Sequence, residues 1–125
     1  MKNIGPKSIS SATCLPKSHT GIQGLDEITD GGLPRGRPTL VCGGAGCGKT
    51  LLAAEFLVRG AALFDEPGVL MAFEETEAEL KANVASLGFD LAGLVRRKKI
   101  VIDYVHIEPG EVQESGEYDL EGLFV

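Results

Sequence analysis

The stretch that most constrains this chain is Gly43-Gly44-Ala45-Gly46-Cys47-Gly48-Lys49-Thr50, which matches the pattern glycine, four residues, glycine, lysine, serine or threonine. It lies between a short apolar run, Thr39-Leu40-Val41-Cys42, and a stretch in which Leu52, Ala53, Phe56, Leu57 and Leu63 recur at helical spacing. The order predicts a strand buried on both faces, then a glycine loop, then a helix from Lys49 to about Leu63. Glycines allow positive φ and close approach of the backbone to phosphate. The amides of Gly46, Cys47, Gly48 and Lys49 can therefore form an anion-binding nest backed by the positive end of the helix. The Lys49 ammonium is expected at the β and γ phosphates of a nucleoside triphosphate. The Thr50 hydroxyl is expected on a Mg²⁺ bridging those phosphates, with ATP as the ligand. Candidate contacts run through Gly43, Gly44, Ala45, Gly46, Cys47, Gly48, Lys49, Thr50 and Leu51.

The rest of the chain repeats the strand and helix alternation. Asp65-Glu66-Pro67-Gly68 stops the first helix, and Val69 to Phe73 reads as a second strand, expected to be parallel. Thr76 with Glu79 forms a capping box for a helix running to about Leu87 and ending at Gly88. Leu91 to Arg97 is a further helical stretch, and Ile100 to Val105 a third strand candidate. This alternation implies an α/β layered fold with a mainly parallel sheet. Residues 1–17 are rich in Ser, Lys, Pro and Gly and read as a mobile arm, which places the domain at 18–125. From Thr20 to Arg37, glycines and prolines punctuate a short helical or turn segment around Leu25 to Ile28, read as a lead-in. Asp119 to Val125 begins like a helix and stops after about two turns, as if cut inside it.

Composition excludes several classes. At 125 residues there is room for one small domain and one core. A net charge of -6 argues against non-specific attraction to nucleic acid or anionic lipid. The basic run Arg96-Arg97-Lys98-Lys99 is better explained as a solvated helix end, where cations are favoured by the dipole. Cys14, Cys42 and Cys47 are an odd number without a Cys-x-x-Cys pair, so neither a disulfide framework nor a zinc site is indicated, and a reducing cytoplasm fits. No run approaches the roughly 20 apolar residues that span a bilayer, and none resembles a signal peptide.

A second candidate site is Glu74-Glu75, adjacent carboxylates at the C-terminal end of the second strand, where ligands sit in open parallel sheets. One carboxylate could orient an attacking water while its neighbour is held by structure. Two acids favoured by a helix N-terminus explain the pair equally well. Asp103 closes an apolar run and fits either a metal-holding aspartate or a strand-end acid. Cys47 could make the loop redox-sensitive or be an inert small side chain.

The segment TGIQGLDEITDGGLPRGRPTLVCGGAGCGKT, followed by FDEPGV and FEET, resembles the KaiC family of RecA-like ATPases. That resemblance implies a RecA-like P-loop fold and an ATPase domain assembling into a hexameric ring with ATP between subunits. It also implies autophosphorylation on Ser or Thr in some members, and regulatory protein partners. Glu74 and Glu75 match the family's catalytic glutamates, Lys49 is counted with them as catalytic, and Ser86 aligns with a nucleotide-contacting serine, although Leu87 and Phe89 differ from the aromatic residues expected there. By the same resemblance the Walker B strand and the rest of the sheet lie beyond Val125. The alternatives are a non-hydrolysing, nucleotide-dependent oligomerisation or signalling module, and an inactive truncated fragment.

Overall fold

The computed structural model describes residues 15–107. The expectation of a helix at Asp119–Val125 and most of the expected arm lie outside that range. Eight elements follow in order: β1 (Lys17–Ser18), α1 (Leu25–Ile28), β2 (Leu33–Pro34), α2 (Lys49–Leu63), β3 (Gly68–Ala72), α3 (Glu77–Ala85), α4 (Leu91–Arg96) and β4 (Ile100–Tyr104). The chain is α/β, and its main sheet among the described residues is one parallel pair, β3 with β4, in register from Gly68 opposite Ile100 to Ala72 opposite Tyr104. Parallel strands need a crossover of a dozen or more residues, and α3 and α4 supply it.

One face of this pair is covered and the other is not. Ala54, Val58 and Ala61 of α2, Val84 of α3, Leu91 and Leu94 of α4 and Ile100 of β4 form a single buried cluster, flanked by Leu57, Phe89, Val95 and Ile102. Gly68 lets β3 pass close to α2: a Cβ there would stand 2.6 Å from a Leu57 methyl, which would have to shift. On the opposite face the paired Val69 and Val101 are 66% and 54% exposed. The expectation of a mainly parallel sheet flanked by helices therefore narrows to a two-stranded parallel pair with its helices packed on one side.

The helix ends show why the elements start where they do. Thr76 and Glu79 form the expected capping box, and α3 closes at Ser86 with Gly88 left-handed at φ 86°. Asp90 caps α4 by accepting from the Gly93 amide at 2.9 Å. The basic run follows as the solvated end of α4, with Arg97 paired to Asp90 and Lys99 to Asp65.

Two expectations for the N-terminal half change. Thr39-Leu40-Val41-Cys42 forms no strand, and Leu40 is 87% exposed rather than buried. A strand is stabilised by its ladder, and among the described residues no neighbour pairs with this segment. Thr39 and Val41 instead border an apolar hollow of about 600 Å³ between the lead-in and the Leu52–Phe56 side of α2. The lead-in is more structured than its glycines suggest. Lys17–Ser18 pairs antiparallel with Leu33–Pro34, so the chain is already paired at residue 17. Thr20 is fully buried. Its hydroxyl and amide donate to Asp26 Oδ1 at 2.6 and 2.8 Å, and the Gly21 amide donates to Oδ2 at 3.0 Å. The Thr20 hydroxyl, followed by the two amides, holds the Asp26 carboxyl below the usual carboxylate range.

Candidate functional site

The site is built where β3 ends, α2 begins and α3 runs past. Gly46 and Gly48 take φ of 74° and 93°, and Gly48 is the left-handed residue that turns the loop into α2. A side chain is disfavoured at such a φ, which is why glycine stands there. No side chain caps α2. The first α-helical bond of this helix is donated by Leu52 to the Gly48 carbonyl at 2.9 Å, so the amides of Lys49, Thr50 and Leu51 precede any i−4 partner. That combination of open amides and helix dipole is what an anion needs. The Lys49 ammonium lies back over the loop, donating to the carbonyls of Gly43 and Gly44 at 2.8 Å each and standing 3.7 Å from Cys47 Sγ. A Cβ on Gly43 would overlap the Cys47 sulfur, so a larger residue here would push that side chain aside.

Glu74 and Glu75 leave the end of β3 directly before the capping box. Thr76 donates to Glu79 Oε2 from both its amide and its hydroxyl at 2.8 Å, and the Glu79 amide returns a bond to Thr76 Oγ1 at 3.3 Å. Glu79 is accordingly held below the ordinary carboxylate value, first by the Thr76 amide and then by its hydroxyl. The box satisfies the Thr76 and Glu79 amides at the start of α3. Glu75 is half-buried and accepts from Asn83 Nδ2 at 3.1 Å, whereas Glu74 is exposed and makes no side-chain hydrogen bond among the described residues.

These parts enclose an open cleft of about 690 Å³ lined by Ala45, Gly46, Cys47, Gly48, Lys49, Thr50 and Leu51 on one side and by Glu74, Glu75, Leu80, Asn83, Val84, Ser86 and Leu87 on the other. Of the residues singled out in the sequence, all of the loop from Ala45 onward, both glutamates and Ser86 meet here. Gly43 and Gly44 stand behind the wall, where they hold the Lys49 ammonium. Ser86 closes α3 and donates its hydroxyl to the Asn83 carbonyl at 2.7 Å. Asp103 lies on β4 opposite Met71 and does not border the cleft. Phe89 turns inward, packs on the core and carries the Arg59 guanidinium 5.7 Å above its ring, so it is not a wall residue either. Thr50 and the two glutamates offer oxygen donors around the loop mouth, the donor type that suits Mg²⁺. Sequence reading missed Asn83. Its signal was spacing: it lies seven residues, about two helical turns, beyond the N-cap Thr76 and so on the same side of α3.

Comparison with known proteins gives a consistent picture. The profile of the family described as "ATPase: KaiC" matches residues 18–125. The chain is 61% identical over 116 residues to the circadian clock protein KaiC2 of Synechocystis sp., covering 93% of this chain and 20% of that protein. It is 43% identical over 118 residues to the circadian clock oscillator protein KaiC of Synechococcus elongatus, covering 94% of this chain and 23% of that one. A KaiC of Parathermosynechococcus lividus is 43% identical over 115 residues. The chain spans about a fifth of the length of these relatives.

Proposed function

This chain belongs to the KaiC ATPase family, and from that premise we propose that its cleft binds ATP and, in the complete gene product, hydrolyses it with Mg²⁺. The observation that carries the reading is the convergence, in one open cleft, of an uncapped helix N-terminus with its lysine and two carboxylates from the end of a parallel strand. The amides from Gly46 to Lys49 cradle the phosphates, and Lys49 exchanges the Gly43 and Gly44 carbonyls for phosphate oxygens. Thr50 is the protein's ligand to Mg²⁺, which when bound neutralises charge on the phosphates. Glu74, exposed and without a side-chain hydrogen bond among the described residues, positions or deprotonates the attacking water beside the γ phosphate, with Glu75 next to it. Ser86 contacts the nucleotide from the α3 side.

Hexameric assembly with ATP at subunit contacts, Ser/Thr autokinase activity, regulatory protein partners and a cytoplasmic location belong to the same proposal. They rest on family membership, with the compositional argument against nucleic acid. No helix among the described residues is long and apolar enough to cross a membrane.

A second reading concerns the 125-residue chain alone. Leu40, Val69, Val101 and Phe73 are 87%, 66%, 54% and 46% exposed. Leu40 forgoes most, and Val69, Val101 and Phe73 about half to two thirds, of a burial worth roughly 1.5 to 3 kcal/mol per side chain, against a total stability of about 5 to 15 kcal/mol for a domain. The chain by itself is therefore proposed to have little or no turnover and to self-associate. The test is steady-state hydrolysis by the complete gene product and by Glu74→Gln with Glu75→Gln. Turnover is expected to vanish in the double variant while ATP binding survives, and undiminished turnover would overturn the assignment of these residues. A parent that binds ATP and assembles without hydrolysing it would point to the non-hydrolysing module.

A further inference from the structure

Glu74 and Glu75 are neighbours in sequence with opposite surroundings, and the difference has one visible cause. Glu75 is half-buried and its Oε2 accepts from the Asn83 amide at 3.1 Å, while Glu74 is exposed and makes no side-chain hydrogen bond among the described residues. We propose that Asn83 is the positioning residue of this cleft, fixing the Glu75 carboxylate so that the two glutamates keep separate tasks. The inference deepens the ATPase reading given above and rests on it.

Three observations support it. The tether is clamped at both ends: Glu75 directly precedes the capping box that fixes the start of α3, and Asn83 sits two turns along the same helix. Leu80 and Val84, each 1% exposed, anchor that helix on either side of the asparagine. Finally, the Ser86 hydroxyl donates to the Asn83 backbone carbonyl, so the last turn of α3 is drawn up beneath it. A neutral amide suits the task. It donates a hydrogen bond and sets orientation without bringing a positive charge that would compete with Lys49 for the phosphates. Asn83 has no other side-chain partner among the described residues, and on an exposed helix surface asparagine is a poorer helix former than alanine or leucine, so helix stability alone does not account for it.

The test is the turnover of the complete gene product bearing Asn83→Leu, which keeps the size and loses the donor, Asn83→Ala, and Asn83→Gln, which keeps a donor on a longer arm. Misplacing a reacting group by a fraction of an ångström to one ångström lowers rate steeply. Asn83→Leu and Asn83→Ala are expected to lower kcat about 10-fold, with KM for ATP within about two-fold of the parent and thermal midpoints equal or higher. Asn83→Gln should keep at least about a third of parental kcat. Parental kcat in Asn83→Leu, a loss carried by KM alone, or Asn83→Gln no better than Asn83→Leu would each overturn the inference while leaving the ATPase reading intact. Absence of turnover in the parent would instead remove that reading and the inference with it.

Discussion

The two helices that border the cleft begin in opposite ways. At α3 the first turn is closed by its own side chains, Thr76 and Glu79. At α2 a left-handed glycine stands in the cap position, no side chain caps it, and the nearest charged group is an ammonium resting on loop carbonyls. Both ends carry the same unsatisfied amides and the same positive dipole. The lesson is that withholding a cap is what opens a helix start to an anion: where the chain supplies its own acceptors the start is structural, and where it supplies glycines the proposed phosphate site becomes possible.

The contrast is open to attack in a graded way. Lys49→Ala removes the one charge at the open end. Because the ammonium exchanges two carbonyl acceptors for charged phosphate oxygens, only the difference counts, and a gain of roughly 1.5 kcal/mol corresponds to a loss of ATP affinity of about 10-fold, measured by calorimetric titration with Mg²⁺; near-parental affinity would break the comparison. Gly48→Ala should cost about 1 to 2 kcal/mol in stability from its left-handed backbone and weaken ATP binding with it, since the loop must distort. Thr76→Ala, at the closed end, should lower stability by about 1 kcal/mol in denaturant unfolding and leave ATP affinity within about two-fold. An affinity loss like that of Gly48→Ala would show that the two ends are not independent.

The smallest effect is a pH dependence. The Glu79 carboxyl is held below its ordinary value near 4.5 by the Thr76 amide and hydroxyl. A depressed folded-state value means that the box stabilises the protein above the unfolded carboxylate range, and that this contribution is lost as pH falls through the lower, folded value. Glu79→Gln should therefore flatten the acid side of the stability profile, read as thermal midpoint against pH, while Lys49→Ala should leave that slope unchanged.

How much of this could be read from the chain alone follows the range of each signal. The glycine loop, the helix from Lys49 to Leu63 and the Thr76–Glu79 box are written in residues a few positions apart, and each stands where the spacing placed it. The run at Thr39–Cys42 misled because strand formation depends on a neighbour distant in sequence, and apolar composition cannot say whether that neighbour is there. Thr20 was overlooked for a related reason. A small polar residue in a glycine-rich stretch looks like loop until the acceptor six residues on, Asp26, is seen to bury it. Asn83 was readable in principle by counting turns from Thr76, but only after the glutamate beside the cap had been recognised as its acceptor.

The resting posture of Lys49 has a consequence for selectivity. Its ammonium already has two good acceptors, so any incoming ligand is judged by what it offers in exchange. Under the proposed binding mode a triphosphate would bring terminal oxygens to that group and make the swap favourable. In the same mode a nucleoside monophosphate would meet only the loop amides, and the lysine would keep its carbonyls. Discrimination by chain length of the polyphosphate is thus expected to arise from a side chain that is satisfied before the ligand arrives.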